Sequence, residues 1–145
     1  MQEKESIIDI SGLTPDQKKV FEELRDYVSN RYDDSVYVIK GWAGTGKTYS
    51  VSVFIRYMLN VMYPDRKWFK VAMTGPTNKS VRVIKKATGL KNKRVTYQTI
   101  HKLLGLKERI TIEGKQEFVN SGEFIPPINS VKVLVIDEVS MLNDD

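Results

Sequence analysis

Residues Gly41-Trp42-Ala43-Gly44-Thr45-Gly46-Lys47-Thr48 match the pattern G-x-x-x-x-G-K-[ST] at every fixed position. The chemistry this order of residues suits is the holding of a polyphosphate. Gly41, Gly44 and Gly46 allow the chain to turn with its N–H groups pointing inward, and Thr45 sits among them in the same cradle. A helix that starts at Lys47 adds the positive end of its dipole. Lys47 is then placed to reach the β- and γ-phosphates, and the Thr48 hydroxyl to ligate Mg²⁺. A purely structural glycine turn is the competing explanation. The apolar run before the loop and the helical pattern after it favour phosphate binding, which makes ATP with Mg²⁺ the expected ligand.

A second chemical signature closes the run Val133-Leu134-Val135-Ile136-Asp137-Glu138. Four apolar residues predict a buried strand, and two carboxylates follow it at the end where open α/β sheets bind their ligands. Asp137 would hold the Mg²⁺ through water, and Glu138 would orient or deprotonate an attacking water as a general base. Apolar residues followed by Asp-Glu also occur as plain strand ends. The pairing with a phosphate loop selects the site reading, and adjacent acids suit hydrolysis better than phosphoryl transfer to an acceptor hydroxyl.

The elements that must position these groups can be read along the chain. Residues 1–12 predict a loose arm. Thr14, Pro15 and Gln17 read as the N-cap, first position and third position of a helix with a capping box, and Val20, Phe21, Leu24, Tyr27 and Val28 form its apolar stripe. SVYVIK (35–40) predicts a buried strand leading into the phosphate loop, and the pattern from Lys47 to about Met62 is helical, stopped by Pro64. WFKVAMT (68–74) predicts a second strand, Ser80 to about Ala87 a basic helix ended by Gly89, and Thr96 to Leu104 another short helix. Residues 107–119 alternate by twos around Glu113-Gly114, which predicts a hairpin, and 131–137 completes the strands. Strands alternating with helices argue for βαβ units and a parallel sheet.

Charge is strongly segregated. Residues 66–109 carry thirteen Lys/Arg against Glu108 alone, whereas residues 1–40 carry six against nine Asp/Glu and residues 110–145 two against seven. Such a basic block repels itself in a compact fold unless a polyanion lies against it, although a solvated helix face would read alike. Nucleic acid is the partner that explains it best. The chain of 145 residues has no cysteine and one histidine, which excludes a disulfide framework and multi-Cys or multi-His zinc sites. No apolar run reaches the ~18 residues of a membrane span, and the start MQEKESIIDI is too charged for a signal peptide, so a soluble protein of a reducing compartment is expected.

Taken together, LTPDQ (13–17), GWAGTGKT (41–48), TGPTNKS (74–80), TYQTIHKLLG (96–105) and VIDEVSM (135–141) resemble the motif series of the superfamily 1B DNA helicases, in the family's order and over nearly the whole chain. In spacing, the Dda-like members of phages are nearest; Trp42 departs from the small residue or proline often found at its position. The resemblance implies an α/β fold: a RecA-like P-loop NTPase lobe whose parallel sheet is flanked by helices, incomplete, with a small β-hairpin insertion near 106–120. On that basis residues 13–145 form part of the first helicase lobe.

The resemblance further implies that Gln17 reads the adenine edge, in competition with its role in the capping box. It implies that Pro76, Thr77, Asn78 and Lys79 meet single-stranded DNA through phosphate contacts, a loop cap being the alternative. Thr96 and His101 would flank the same DNA track, although His101 beside Ile100 and Leu103 equally suits a core position. The hairpin would act as the pin that splits a fork. Translocation with 5′-to-3′ polarity, a second RecA-like lobe supplying the arginine fingers, and a bacterial or phage-infected cytoplasm are implied by the family alone. In this fold the strand that pairs between the phosphate-loop strand and the acidic strand follows the acidic motif, so an N-terminal fragment with poor turnover and no unwinding of its own is expected. The competing class is a non-catalytic module that binds nucleotide or nucleic acid as a regulator.

Overall fold

The computed structural model describes residues 10–30, 36–40, 46–122 and 125–137. The chain divides into two compact units, residues 1–66 and 67–145.

In the first unit, α1 (Pro15–Ser29) starts as its sequence dictates. The Thr14 hydroxyl accepts from the Gln17 N–H, and the Gln17 side chain accepts from the Thr14 N–H, a reciprocal capping box with Pro15 in the first turn. Phe21 and Leu24 are its buried face. The partner is α2 (Lys47–Tyr57), which widens into a π-helical turn over Met58–Met62 before Tyr63 and Pro64 end it. Phe21 meets Phe54 and Tyr57 edge to face, with centroids 5.7 and 5.3 Å away, so three rings clamp the helix pair.

The buried strand expected over residues 35–40 is not present among the described residues. Residues 36–40 belong to no sheet, and Val36 and Val38 are 84% and 66% exposed. A run of β-branched residues sets an extended backbone, but burial requires ladder partners to take its N–H and C=O groups. The segment is held from its other face. The Tyr37 ring lies 5.4 Å from that of Tyr27, and its hydroxyl donates to the Glu23 carboxylate of α1.

The second unit contains the parallel sheet, whose strands lie side by side in the order β2 (Val95–Thr99), β1 (Val71–Gly75) and β5 (Val133–Ile136). Strand β1 (Val71–Gly75) is central and wholly buried. It pairs with β2 (Val95–Thr99) in the register Val71↔Val95 to Gly75↔Thr99, and with β5 (Val133–Ile136) from Val71↔Val133 to Thr74↔Ile136. The crossover from β1 to β2 is α3 (Asn78–Thr88), which buries Ser80, Val81, Ile84 and Thr88 and stops at Gly89 in the left-handed conformation. Residues 96–99, expected as helix, are strand. Only Ile100–Leu103 is helical (α4), starting at Thr99, whose hydroxyl accepts from the Lys102 N–H. Ile100 and Leu103 pack on Ala72 beneath Ile128, Val131 and Ile136.

The hairpin expected around Glu113-Gly114 is formed by β3 (Leu106–Ile110) and β4 (Gln116–Asn120), antiparallel and in the register Leu106↔Asn120. Gly114, at φ +78°, makes its turn. Arg109 Nε donates to Glu117 Oε1 across the pair at 2.7 Å.

Candidate functional site

One group of candidate residues lies where α2 begins, in the first unit. Gly46 takes the left-handed conformation (φ +78°, ψ 21°), and no side chain caps the helix after it. Lys47 and Thr48 therefore stand, half-buried, in the first turn of an 11-residue helix whose N-terminus favours an anion. Gln17 reaches the same point. Its Oε1 accepts from the Thr14 N–H at 2.9 Å, while its Nε2 lies 2.2 Å from where a Cβ on residue 46 would sit. Gly46 is thus required twice, by its backbone angle and by the Gln17 amide. The capping role and the position beside the loop are compatible, because they use opposite ends of one amide. Gly41, Gly44 and Thr45 lie outside the described residues.

A separate group lies in the second unit, at the carboxyl end of the parallel sheet. The register places Gly75, Thr99 and Ile136 at the ends of adjacent strands, so the chain leaves all three on the same edge. After β1 come Pro76, half-buried, and Thr77, the N-cap of α3. Thr77 Oγ1 accepts from the Ser80 N–H at 3.1 Å and Ser80 Oγ accepts from the Thr77 N–H at 3.1 Å, a second capping box. Gly75 makes this possible, since a Cβ there would lie 2.4 Å from Ser80 Oγ. Asn78 and Lys79 are exposed in the first turn.

After β5 comes Asp137, half-buried, whose N–H donates to the Thr74 carbonyl at 3.0 Å. The Thr74 hydroxyl, itself fully buried, donates to the Val135 carbonyl at 2.8 Å. Two hydrogen bonds thus tie the acidic strand end to the strand that carries the 76–79 loop. Glu138 lies outside the described residues.

His101 follows β2 in α4, and its ring lies flat on that of Phe118 in β4, with centroids 3.7 Å apart and planes within 6°. Its position is half-buried and the histidine holds the hairpin rather than filling the core. Thr96 is the residue this edge does not gather. It is exposed and pairs with Ala72, three residues before Thr99 and so ~10 Å back along the strand.

Sequence reasoning missed a set of side chains beside this edge. Asn78, Arg82 and Lys85 on α3 face Gln98, Thr99 and Lys102 across a groove of about 300 Å³. The spacing i, i+4, i+7 along α3 was the available signal, since it puts those three residues on one face.

The three-stranded parallel sheet with its helices is the architecture of a P-loop NTPase-like α/β lobe. The model of the AAA domain family matches residues 25–145, and the chain belongs to that family. It is 29% identical over 140 residues to an uncharacterized protein of Acanthamoeba polyphaga mimivirus, the match covering 89% of this chain and 27% of that protein. It is 22% identical over 133 residues to a probable ATP-dependent RNA helicase, spindle-E, of Anopheles gambiae, covering 88% of this chain and 9% of that protein. The chain thus spans about a quarter or less of the length of these relatives. Family membership implies nucleotide binding, typically with Mg²⁺. Among the described residues no helix is long and apolar enough to cross a membrane.

Proposed function

We propose that this chain is the ATP-binding first lobe of a nucleic-acid helicase of the superfamily 1B, Dda-like kind, acting on single-stranded and forked DNA with 5′-to-3′ polarity. The observation that carries this reading is the shared carboxyl edge of β1, β2 and β5. There the 76–79 loop and the start of α4, both within the 66–109 segment of thirteen basic residues and one acid, meet Asp137 at the end of β5. Backbone N–H groups and short polar side chains on that edge suit phosphate contacts without base readout.

In this reading Lys47 draws the β- and γ-phosphates to the start of α2, and Gln17 meets the adenine with the amide end left beside Gly46. The Thr48 hydroxyl and the Asp137 carboxylate are hard oxygen donors of the kind Mg²⁺ takes, and they would hold it. When bound, that ion supplies charge neutralisation at the phosphate oxygens. Glu138 orients the attacking water and accepts its proton. Efficient turnover draws on arginines from a second lobe, worth ~10³–10⁵ in related phosphoryl-transfer enzymes. The hairpin serves as the strand-separating pin. Its exposed Ile110 and Ile112 stand at the far end and the His101–Phe118 stack anchors the near one.

Titration of the chain with a fluorescent ATP analogue and Mg²⁺ tests the nucleotide half. Lys47→Ala should weaken binding by roughly 10- to 100-fold, the worth of charge-assisted hydrogen bonds. Equal binding by the variant, or none by folded wild type, would reject the reading. In a protein carrying both lobes, Glu138→Gln should keep ATP binding and abolish oligo-dT-stimulated hydrolysis; unchanged turnover would remove Glu138 from the role of base.

A further inference from the structure

The groove on the flank of α3 has three cations and no acid among its lining residues. Arg82 and Lys85 come from α3 and Lys102 from α4, with Asn78, Gln98 and Thr99 supplying amides and a hydroxyl between them. Arg82, Lys85 and Lys102 are all exposed, and among the described residues none of them is paired with a carboxylate. Three unneutralised cations around one groove of about 300 Å³ repel one another until an anion enters.

The floor says what kind of anion. Tyr97 has its hydroxyl spent, donating to the Leu90 carbonyl at 2.9 Å and lying 3.0 Å from Thr88 Oγ1. Lys85 Nζ stands over its ring, 5.8 Å from the centroid. The one aromatic face in the groove is therefore occupied by an ammonium, so there is no free platform on which a base could stack. What remains is a row of donors running ~10 Å along α3, from residue 78 to residue 85, which suits a run of backbone rather than a single nucleotide.

We propose that this groove is a phosphodiester-binding extension of the nucleic-acid track, in which Arg82, Lys85 and Lys102 grip successive backbone phosphates of a single strand leaving the 76–79 loop. Asn78 belongs to both the loop and the groove, which makes the path continuous. The proposal rests on the reading that this chain binds single-stranded nucleic acid, and it adds contacts that are blind to base sequence.

The test is fluorescence anisotropy of labelled oligo-dT with the full chain across a salt series. The triple variant Arg82→Gln, Lys85→Gln, Lys102→Gln is compared with Lys86→Gln, Lys91→Gln, Lys93→Gln, which removes equal charge from exposed positions outside the groove. Each lost phosphate contact should lower the slope of log affinity against log salt by about 0.7, so the groove variant should lose about 2 in slope. Its binding at low salt should fall at least tenfold below that of the control, with equal losses on oligo-dA. Lys85→Arg with Lys102→Arg should retain the wild-type slope, which separates loss of charge from loss of fold. A groove variant that matches wild type, while wild type binds tightly, overturns the groove and leaves the nucleic-acid reading standing. Equal losses in groove and control variants overturn it as well, since a diffuse field would then suffice. Wild type that binds no oligonucleotide overturns both.

Discussion

Helix α2 and helix α3 follow loops that chemistry singles out, and they begin in opposite ways. Helix α3 closes its own N-terminus through the reciprocal Thr77–Ser80 box, as α1 does through Thr14 and Gln17, and α4 takes a cap from Thr99. Helix α2 alone among the described α-helices starts without a side-chain cap, from a left-handed glycine. The difference separates two uses of the same backbone groups. A helix that satisfies its first N–H groups from its own sequence is a finished structural part. One that begins behind Gly46 takes no side-chain cap, the arrangement that the proposed phosphate site calls for. If the 76–79 loop meets nucleic acid as proposed, it does so with what lies outside the cap, namely Asn78, Lys79 and the groove beyond them.

Several substitutions would break or sharpen this contrast. The largest effect is expected for Gly46→Ala. The left-handed backbone alone costs roughly 1–2 kcal/mol, and the new Cβ collides with Gln17 Nε2. Gly89→Ala is the reference, since its φ is also positive (+59°) but nothing lies within 4 Å. Chemical denaturation should rank Gly46→Ala as the more damaging, and in a Gln17→Ala background its cost should fall to that of Gly89→Ala. Equal costs without that background would mean that Gln17 does not crowd the loop.

Thr77→Ala comes next, at about 1 kcal/mol for the lost cap. By contrast with Lys47→Ala, it should lower the melting temperature without altering affinity for the ATP analogue. A nucleotide-binding defect in Thr77→Ala would erase the distinction between the two helix starts.

Phe118→Ala should cost about 0.5–1.5 kcal/mol in lost ring contact beyond the area it exposes. In an NMR spectrum the His101 ring resonances should move on loss of the stack, and unmoved resonances would dissolve the anchor assigned to the hairpin.

The smallest effect is electrostatic. The Tyr37 hydroxyl is pushed up from 10.0 to about 12, first by its hydrogen bond to Glu23, then by burial and by the carboxylate's charge. A folded-state value above the ordinary one means the contact is fully present below pH 10 and is lost as pH rises through 12. An ultraviolet titration should show one late-ionising tyrosine that disappears in Tyr37→Phe. A titration curve that Tyr37→Phe leaves unchanged at its alkaline end would release residues 36–40 from α1.

Local chemistry was legible without coordinates. Thr14-Pro15-Asp16-Gln17 encodes a helix start within four residues, Gly89 a helix stop, and Glu113-Gly114 the turn of a hairpin, because each depends on atoms a few bonds apart. The apolar run 133–136 is a strand as expected but not a buried one, since it pairs with β1 on one side and leaves Leu134 exposed. The phosphate-loop motif reads from its spacing and flanking patterns, with residues 41–45 outside the described ones, whereas the approach of Gln17 to Gly46 does not read from sequence at all.

Tertiary pairing decided the rest. Thr96-Tyr97-Gln98-Thr99 has no strong local preference, and it is a strand because β1 offers Ala72 to Gly75 as partners. Val36 to Lys40 has the stronger β pattern and forms no ladder among the described residues, because a strand is a property of two segments and not of one. The basic groove and the His101–Phe118 stack likewise join residues from different elements; periodicity could place Asn78, Arg82 and Lys85 on one face of α3, but not Gln98, Thr99 and Lys102 opposite them, nor Phe118 on His101. Caps, turns and glycine angles are set over short range by the sequence itself. Sheet partners, ring contacts and the field of clustered charges exist only once the chain has brought distant residues together.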